Sequence, residues 1–296
     1  VALVDVVVVS YNSRAHLRAC VEPLAAADDL AVVVADNAST DDGLATLAGL
    51  DVITVELPEN GGFAYGCNAG WRAGSAPYVL FLNPDAVIEP DAVRRLAGVL
   101  EEDHRVGAAG PKILEDGGVA LSQRRFPRLS STYASALFLH RLLPHAAWAS
   151  ELVAEEAGAY DRPGSPDWVS GAGLMVRRDL LEALGGFDEG FFMYCEDKDL
   201  CRRIRAAGYD VRFEPDAVAR HEGGASAPRA SLLPVLAESR VRYARKHRGK
   251  VAAAAERAGV GLGALTHMVV SKGGRAARSG HASALLVATG LRPHVR

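Results

Sequence analysis

Hydrophobic and polar positions fall into short periodic blocks along the first hundred residues. Residues 3–9 make a valine-rich apolar run, as a strand buried on both faces requires. Ser13 can cap the next block, a helix in which Leu17, Cys20, Val21 and Leu24 recur at helical spacing. Residues 30–35 repeat the buried-strand pattern, and Asp36-Asn37-Ala38-Ser39-Thr40-Asp41-Asp42 breaks it with turn and capping residues. Residues 51–57 read as a third strand. The glycine-rich loop Asn60-Gly61-Gly62-Phe63-Ala64-Tyr65-Gly66 then runs into a helix that carries Cys67 and Trp71. Residues 78–82 form a fourth apolar run and end on Asn83-Pro84-Asp85. Pro90 stands where a helix can begin, with Val93, Leu96, Ala97 and Leu100 on its apolar face. This βα alternation predicts an α/β protein with a mostly parallel, doubly wound sheet.

The pattern loosens afterwards. Residues 107–127 read as strands and loops, and residues 130–163 as a variable loop or short helices. Residues 167–177 are strand-like, with Gly171 and Gly173 allowing close backbone approach. Residues 196–206 form a helix stopped by Gly208, and residues 209–213 a short strand. From residue 231 the chain reads as helical. The expected organisation is one body over residues 1–230 and a helical extension over residues 231–296.

Composition narrows the class. The 296 residues are 49% hydrophobic and 23% charged, as in ordinary globular proteins. Cys20, Cys67, Cys195 and Cys201 form no CxxC pair and no zinc spacing, which predicts free, mostly buried thiols and a reducing compartment. The N-terminal run reads as a strand, not a signal peptide, and no apolar run is long enough to span a bilayer. The net charge of −3 is uneven: residues 239–296 hold 12 Lys/Arg and one acid, Glu256, so they carry +11 against −14 elsewhere. An acidic body with a basic tail suggests an anionic contact such as a phospholipid leaflet, a lipid diphosphate or nucleic acid.

The candidate chemistry lies at three places. Asp85 ends a buried strand at a tight turn, where ligands of open α/β sheets sit. Glu196-Asp197-Lys198-Asp199 opens a later helix, and His221 follows alone. One carboxylate to hold a metal on a diphosphate, one to take a proton and a histidine to close the metal shell suit sugar transfer from a nucleoside diphosphate. That reaction needs the base and ribose held, the leaving diphosphate neutralised and the acceptor hydroxyl deprotonated. A hard Mg²⁺ or Mn²⁺ prefers carboxylate oxygen and meets the second need. At a helix N-terminus the dipole favours the ionised form of Asp197, so a low pKa is expected there. Asp199 is expected to pair with Arg202 or Arg203.

The motifs Val9-Ser10-Tyr11-Asn12, Asp36-Asn37-Ala38-Ser39, Asn60-Gly61-Gly62-Phe63-Ala64 and Asn83-Pro84-Asp85-Ala86 resemble the nucleotide-binding half of the family-two glycosyltransferases. Trp168-Val169-Ser170-Gly171-Ala172, the stretch from Phe192 to Arg202 and His221-Glu-Gly-Gly resemble the later motifs, over roughly residues 3–225 in all. The nearest branch is rhamnosyltransferase-like. The resemblance implies the GT-A fold, with a nucleotide-sugar-binding half over residues 1–110 and an acceptor and catalytic half over residues 111–230. It implies that Ser10 and Tyr11 lie at the base and that Asp36 accepts the N3–H of uracil or thymine. Asn60, Gly61 and Asn83 would then border the donor, with Asp85 and His221 holding a divalent metal. Asp197 would be the general base beside Glu196, and Trp168, Gly171 and Ala172 would face the acceptor, Trp168 by stacking on a sugar ring. Asn83 stands where the family's DXD motif has its first acid, so the metal site loses one formal charge.

The implied partners are a UDP- or dTDP-sugar and a glycan or polyprenyl-linked acceptor, with no nucleic acid. The implied place is the cytoplasm, peripheral on the inner face of the plasma membrane, with residues 239–296 docked on anionic lipid. Two alternatives stand beside this reading. A sugar-phosphate nucleotidyltransferase would want Arg and Lys in a glycine-rich loop after the first strand, where this chain has Ser10-Tyr11-Asn12. A non-catalytic nucleotide-sugar-binding module has only Asn83 in its favour. No GxGxxG follows the first strand, which excludes a dinucleotide-dependent oxidoreductase, and no Walker lysine follows the glycine-rich loop.

Overall fold

The computed structural model describes residues 2–143, 145–153, 158–221, 229–270 and 274–291. Residues 222–224 of the His221 motif, and residues 271–273 and 292–296 of the extension, lie outside them.

The elements run in the order β1 (Val4–Ser10), α1 (Leu17–Ala25), β2 (Leu30–Asp36), β3 (Ile53–Glu56), α2 (Phe63–Ala73), β4 (Tyr78–Leu82), β5 (Ala86–Ile88) and α3 (Pro90–Glu102). They continue with β6 (Val106–Glu115), β7 (Gly118–Val119), β8 (Gln123–Arg124), α4 (Leu129–Ala136), α5 (Leu139–Leu142), β9 (Trp168–Val169) and β10 (Gly173–Arg177). The chain then forms α6 (Arg178–Ala183), α7 (Glu196–Ala206), β11 (Asp210–His221), α8 (Arg229–Val270) and α9 (Gly274–Thr289). Among the described residues a nine-stranded sheet runs β3-β2-β1-β4-β10-β6-β11-β5, with β7 added on β6, and β8 pairs with β9 apart from it.

The strands β3, β2, β1 and β4 pair in parallel, as the βα alternation predicts. Alternation along β1 explains why both its faces are apolar. Val6 and Val8 join one core with Leu17, Cys20, Leu96 and Leu100 from α1 and α3. Val7 and Val9 join another with Cys67, Trp71, Leu200 and Ile204 from α2 and α7. The run is not wholly apolar. Asp5 is buried and accepts hydrogen bonds from the Ala76 N–H and the Arg178 guanidinium, an ion pair that ties β1 to α6.

Residues 167–177 do not form one strand. They split into β9 and β10, and β10 inserts antiparallel between β4 and β6. The expected short strand at residues 209–213 is instead the long strand β11. It follows β6 in parallel through a register shift between Glu214 and Val218, and ends with His221 opposite Ala86. Pairing on both sides, rather than local apolar pattern, carries it that far.

The extension is helical, as expected, but its basic residues are not free. α8 is two segments joined at Gly249, where φ is 83°. Arg240 reaches Glu151 at 2.7 Å and Glu256 at 3.1 Å, and Arg248 reaches Glu256 at 2.8 Å. Lys246 contacts Asp188 and Asp199, and Arg242 contacts Asp188. Four of the six cations clustered over residues 240–250 therefore pair with acids, and three of them, Arg240, Arg242 and Lys246, tie α8 to acids outside it. Among the described residues no helix is long and apolar enough to cross a membrane. All four cysteines are free and buried, as composition predicts.

Candidate active site

Parallel register brings the first group of site residues to one edge of the sheet. Ser10 on β1 pairs with Asp36 on β2, and Val8 pairs with Leu82 on β4, so Ser10, Tyr11, Asp36, Asn83 and Asp85 cluster where the strands end. The Ser10 hydroxyl is buried without a hydrogen-bond partner, and Tyr11 is exposed. Both Asp36 oxygens accept hydrogen bonds from Ser39, at 2.6 Å from its hydroxyl and 3.0 Å from its N–H. Asp36 therefore organises its own turn, and each oxygen keeps a further lone pair for a ligand.

Asn37 holds the glycine-rich loop. Its amide nitrogen donates to Asn60 Oδ1 and Gly62 O, and its amide oxygen accepts from the Gly61 N–H. Gly62 has φ 92°, and a Cβ there would lie 2.1 Å from Phe192 O, so only glycine lets the loop approach so closely. The Phe63 N–H donates to Phe192 O at 2.7 Å. The loop beside this sheet edge thus touches the segment that leads to the acid pair.

That segment is bent. Tyr194 and Cys195 both have left-handed backbones, with φ 68° and 67°, a conformation that costs a non-glycine residue free energy. The turn aims Glu196 and Asp197 from the start of α7. Asp197 Oδ2 accepts the Gly171 N–H at 3.0 Å, and Oδ1 accepts the Lys198 N–H at 2.7 Å. Glu196 is buried, and its Oε2 has no partner. The expected low pKa of Asp197 is not found. Burial pushes its carboxyl up, and the Gly171 N–H only partly offsets this. Burial and then the charge of Asp197 push Glu196 well above the ordinary range. Desolvation therefore outweighs the helix dipole here. Burial also pushes the Cys195 thiol up to about 12, which leaves it inert as a nucleophile.

The second cluster joins Asn83, Asp85 and His221. His221 Nε2 lies 3.1 Å from Asp85 Oδ1 and 3.2 Å from the Asn83 side-chain amide. Glu115 Oε1 lies 3.4 Å from the other ring nitrogen. Burial raises the Asp85 pKa, but the adjacent His221 outweighs it and holds the carboxyl below its usual value; Asp85 in turn raises His221. A cleft of about 410 Å³ opens here, lined by His16, Pro84, Asp85, Glu115 and His221 among others. Asp85 Oδ1 is buried and receives no aligned hydrogen bond. A carboxylate oxygen in that state and an imidazole nitrogen are ligand types that Mg²⁺ or Mn²⁺ accepts, while the Asn83 atom nearest them is its amide nitrogen, a donor. Glu115 stands where an outer carboxylate orients a metal-binding histidine.

The two clusters meet through the turn between β9 and β10. The Asn83 N–H donates to Ala172 O at 3.4 Å, while the neighbouring Gly171 N–H holds Asp197. Trp168 lies nearby but not as an open platform. It is 8% exposed, its indole N–H donates to Arg125 O, and Arg124 and Lys198 lie over its ring. Packing, not stacking on a sugar, is what its surroundings permit. Asp199 pairs with Arg203 as expected, and also with Lys246 and His247 of α8. Sequence reasoning did not single out Asn37, Glu115 or Arg124. Only Asn37 left a signal, as neighbour of Asp36 within a quoted motif.

The chain is 31% identical to the N-acetylglucosaminyl-diphospho-decaprenol L-rhamnosyltransferase of Mycobacterium tuberculosis over 258 residues, 81% of this chain and 83% of that protein. It is 28% identical to rhamnosyltransferase WbbL of Escherichia coli over 240 residues, 74% of this chain and 83% of that one. In fold it matches the mannosyltransferase PcManGT of Pyrobaculum calidifontis, solved with GDP-Man and Mn²⁺. The TM-score is 0.59 at 19% identity, covering 97% of this chain and 86% of that one. It also matches Staphylococcus aureus TarS residues 1–349 bound to UDP, with TM-score 0.53 at 17% identity, covering 98% and 91%. These neighbours carry the expected GT-A fold. Residues 5–183 match the Glycosyl transferase family 2 model, and with that match spanning more than half of its length the chain belongs to this glycosyltransferase family.

Proposed function

We propose that this glycosyltransferase is inverting and metal-dependent, and moves a sugar, rhamnose first among the candidates, from a UDP- or dTDP-sugar to a hydroxyl of a lipid-linked or cell-envelope glycan. The observation that carries the reading is the junction at residues 171–172, which ties the Asp197 carboxylate to the Asn83–Asp85 turn through two neighbouring backbone hydrogen bonds. A proton acceptor and a diphosphate-type site on one short segment suit single displacement. The relatives' names add the sugar and the kind of acceptor.

In this reading Ser10, Tyr11 and Asp36 hold the nucleotide, and Asn60 and Gly61 border its sugar, kept in place by Asn37. Asp85 and His221 hold the divalent ion, with Asn83 beside them. When bound, that ion supplies Lewis acidity to the leaving diphosphate. Asp197 takes the proton of the attacking hydroxyl, with Glu196, whose carboxyl burial pushes up, beside it. Gly171 and Ala172 border the acceptor. Attack from the face opposite the diphosphate inverts the anomeric centre, and no covalent intermediate with the enzyme is needed.

The enzyme meets its acceptor as a peripheral protein at the cytoplasmic face of the membrane. With four cations paired to acids, the attraction rests on exposed Arg245 and Lys250 and on the apolar outer face of α8 at Val251, Leu265 and Val269.

The test is transfer itself. The purified chain with Mn²⁺, dTDP-rhamnose or a UDP-sugar and a polyprenyl-diphosphate-linked N-acetylglucosamine should yield a disaccharide of inverted configuration, read by mass spectrometry and NMR. Donor binding with neither transfer nor hydrolysis across the panel would sink the reading.

A further inference from the structure

The turn that leads into the acid pair is built against the preferences of its own residues. Residues 191–195 lie in neither helix nor strand, and Tyr194 and Cys195 are both left-handed. Two such residues in succession cost free energy that their surroundings must offset. On one side the Phe63 N–H of the glycine-rich loop donates to Phe192 O at 2.7 Å. On the other side lies α8.

One face of α8 covers this turn from end to end. Ser239 and Tyr243 stand four residues apart, so they share that face. The Ser239 hydroxyl, on a residue 4% exposed, donates to Met193 O at 2.8 Å. That carbonyl belongs to the peptide that enters the first left-handed residue. The Tyr243 ring packs with Phe191 and Cys195 in a small buried cluster, with Tyr194 against it. One turn further along α8, Lys246 reaches Asp188 at 2.7 Å and Asp199 at 2.8 Å, and His247 reaches Asp199 at 2.7 Å. α8 thus grips the segment ahead of the turn, the turn itself and the first turn of α7. The backbone it fixes is the one that carries Asp197, whose carboxylate meets the Gly171 N–H at 3.0 Å.

We propose that Ser239 and Tyr243 are positioning residues for Asp197: they hold the turn at residues 193–195 in its left-handed form, and the turn sets the direction of the carboxylate. The inference rests on the reading of Asp197 as the base. It makes residues 239–247 part of the framework of the site. Their contacts are with the turn and its flanks, so the sheet edge at Ser10, Asp36 and Asp85 should not feel their loss.

The test first reads the turn without turnover. In the full chain, exchange of the Gly171 amide, followed by NMR, reports its hydrogen bond to Asp197. Ser239→Ala and Tyr243→Leu should each speed that exchange about tenfold, the scale of one lost hydrogen bond, while β1 keeps its protection. Tyr243→Phe keeps the ring and should keep the exchange slow. In transfer assays Ser239→Ala and Tyr243→Leu should each lower kcat about tenfold, a cost of misplacing a reacting group, with donor KM and UDP affinity unchanged. In an Asp197→Asn background neither should lower the residual rate further. Unchanged Gly171 exchange in both variants overturns the proposal. So does an equal loss of protection in β1, or an equal fall in rate in the Asp197→Asn background, since either assigns these side chains to the fold as a whole. Failure of both Ser239→Ala and Tyr243→Leu to fold has the same meaning. Absence of transfer in wild type counts against the proposed reaction, while exchange at Gly171 still decides the positioning.

Discussion

Asp85 and Asp197 are both carboxylates at the mouth of one sheet, and burial raises the pKa of both. They nevertheless end on opposite sides of the ordinary value, Asp85 below and Asp197 above. The difference lies in what faces them. His221 stands 3.1 Å from Asp85. Asp197 receives only backbone N–H groups, because the ammonium of neighbouring Lys198 turns away to Glu151 at 3.3 Å. On the proposed reading, the carboxylate assigned to the cation is kept ionised, and the one assigned to the proton is raised toward the range where general bases act best.

The sharpest way to break this contrast is to remove the base. Asp197→Asn keeps shape and the Gly171 hydrogen bond but cannot take a proton. Turnover should fall by ~10² or more, the span of general-base catalysis. UDP affinity by calorimetry should stay near wild type. Near-normal turnover in a folded variant would remove Asp197 from the reaction.

Next comes the other side of the comparison. Asp85→Ala should abolish the gain in nucleotide affinity that Mn²⁺ confers, a loss of about tenfold or more for a charged partner. His221→Ala should do so more mildly. Titration of UDP with and without Mn²⁺ reads both. A gain that survives unchanged in both variants excludes this pair as the metal site.

The raised pKa can be tested through pH. Asp197 keeps its proton to higher pH than an ordinary aspartate, so kcat/KM should be lost as pH falls through a value above 3.8. The acid pair titrates in two coupled steps, and Glu196 holds its proton longer. Glu196→Gln mimics the neutral acid, so it should keep the acid limb and lose any inflection above it. An acid limb at or below 3.8 in wild type would show that burial does not control the base.

Much of this was legible in sequence, and what was not has a common cause. The strand ending at Leu82 and the helix over residues 196–206 follow from local period and turn residues, while Ser10 and Asp36 were picked out by the resemblance of their motifs. β10 inserts antiparallel between β4 and β6, and β11 continues to His221, through pairing with distant strands that no local pattern announces. The pKa of Asp197 was misjudged because the helix dipole is visible in sequence while depth of burial is not. The pairing of the basic stretch at residues 240–250 was hidden because Glu151 and Asp188, which meet it, lie far away in the chain. Asp5 was hidden within a run of valines, and its partner Arg178 lies far along the chain.

That same stretch offers the mildest test of the comparison, on stability more than activity. Asp199 and Glu151 should follow Asp85 rather than Asp197, since cations face both directly. Asp199 is 0% exposed and meets Arg203, Lys246 and His247, while Glu151 meets Arg240 and Lys198. Burial raises both carboxyls, but these partners prevail and hold each at about 2. A depressed carboxylate pKa contributes stability that is complete above the unfolded value near 4 and is lost as pH falls through the folded one. Each should contribute about 2–3 kcal/mol at neutral pH, released between roughly pH 4 and 2. Because these acids join α8 to the body, acid should loosen α8 before the parallel strands β1, β2 and β4. Hydrogen exchange at stepwise lower pH should show protection lost first in α8. Asp199→Asn should start that loss nearer neutral pH, with slower effects on turnover than any change at Asp197. Simultaneous loss of protection in α8 and β1 would show that these ion pairs do not set the order in which the protein opens.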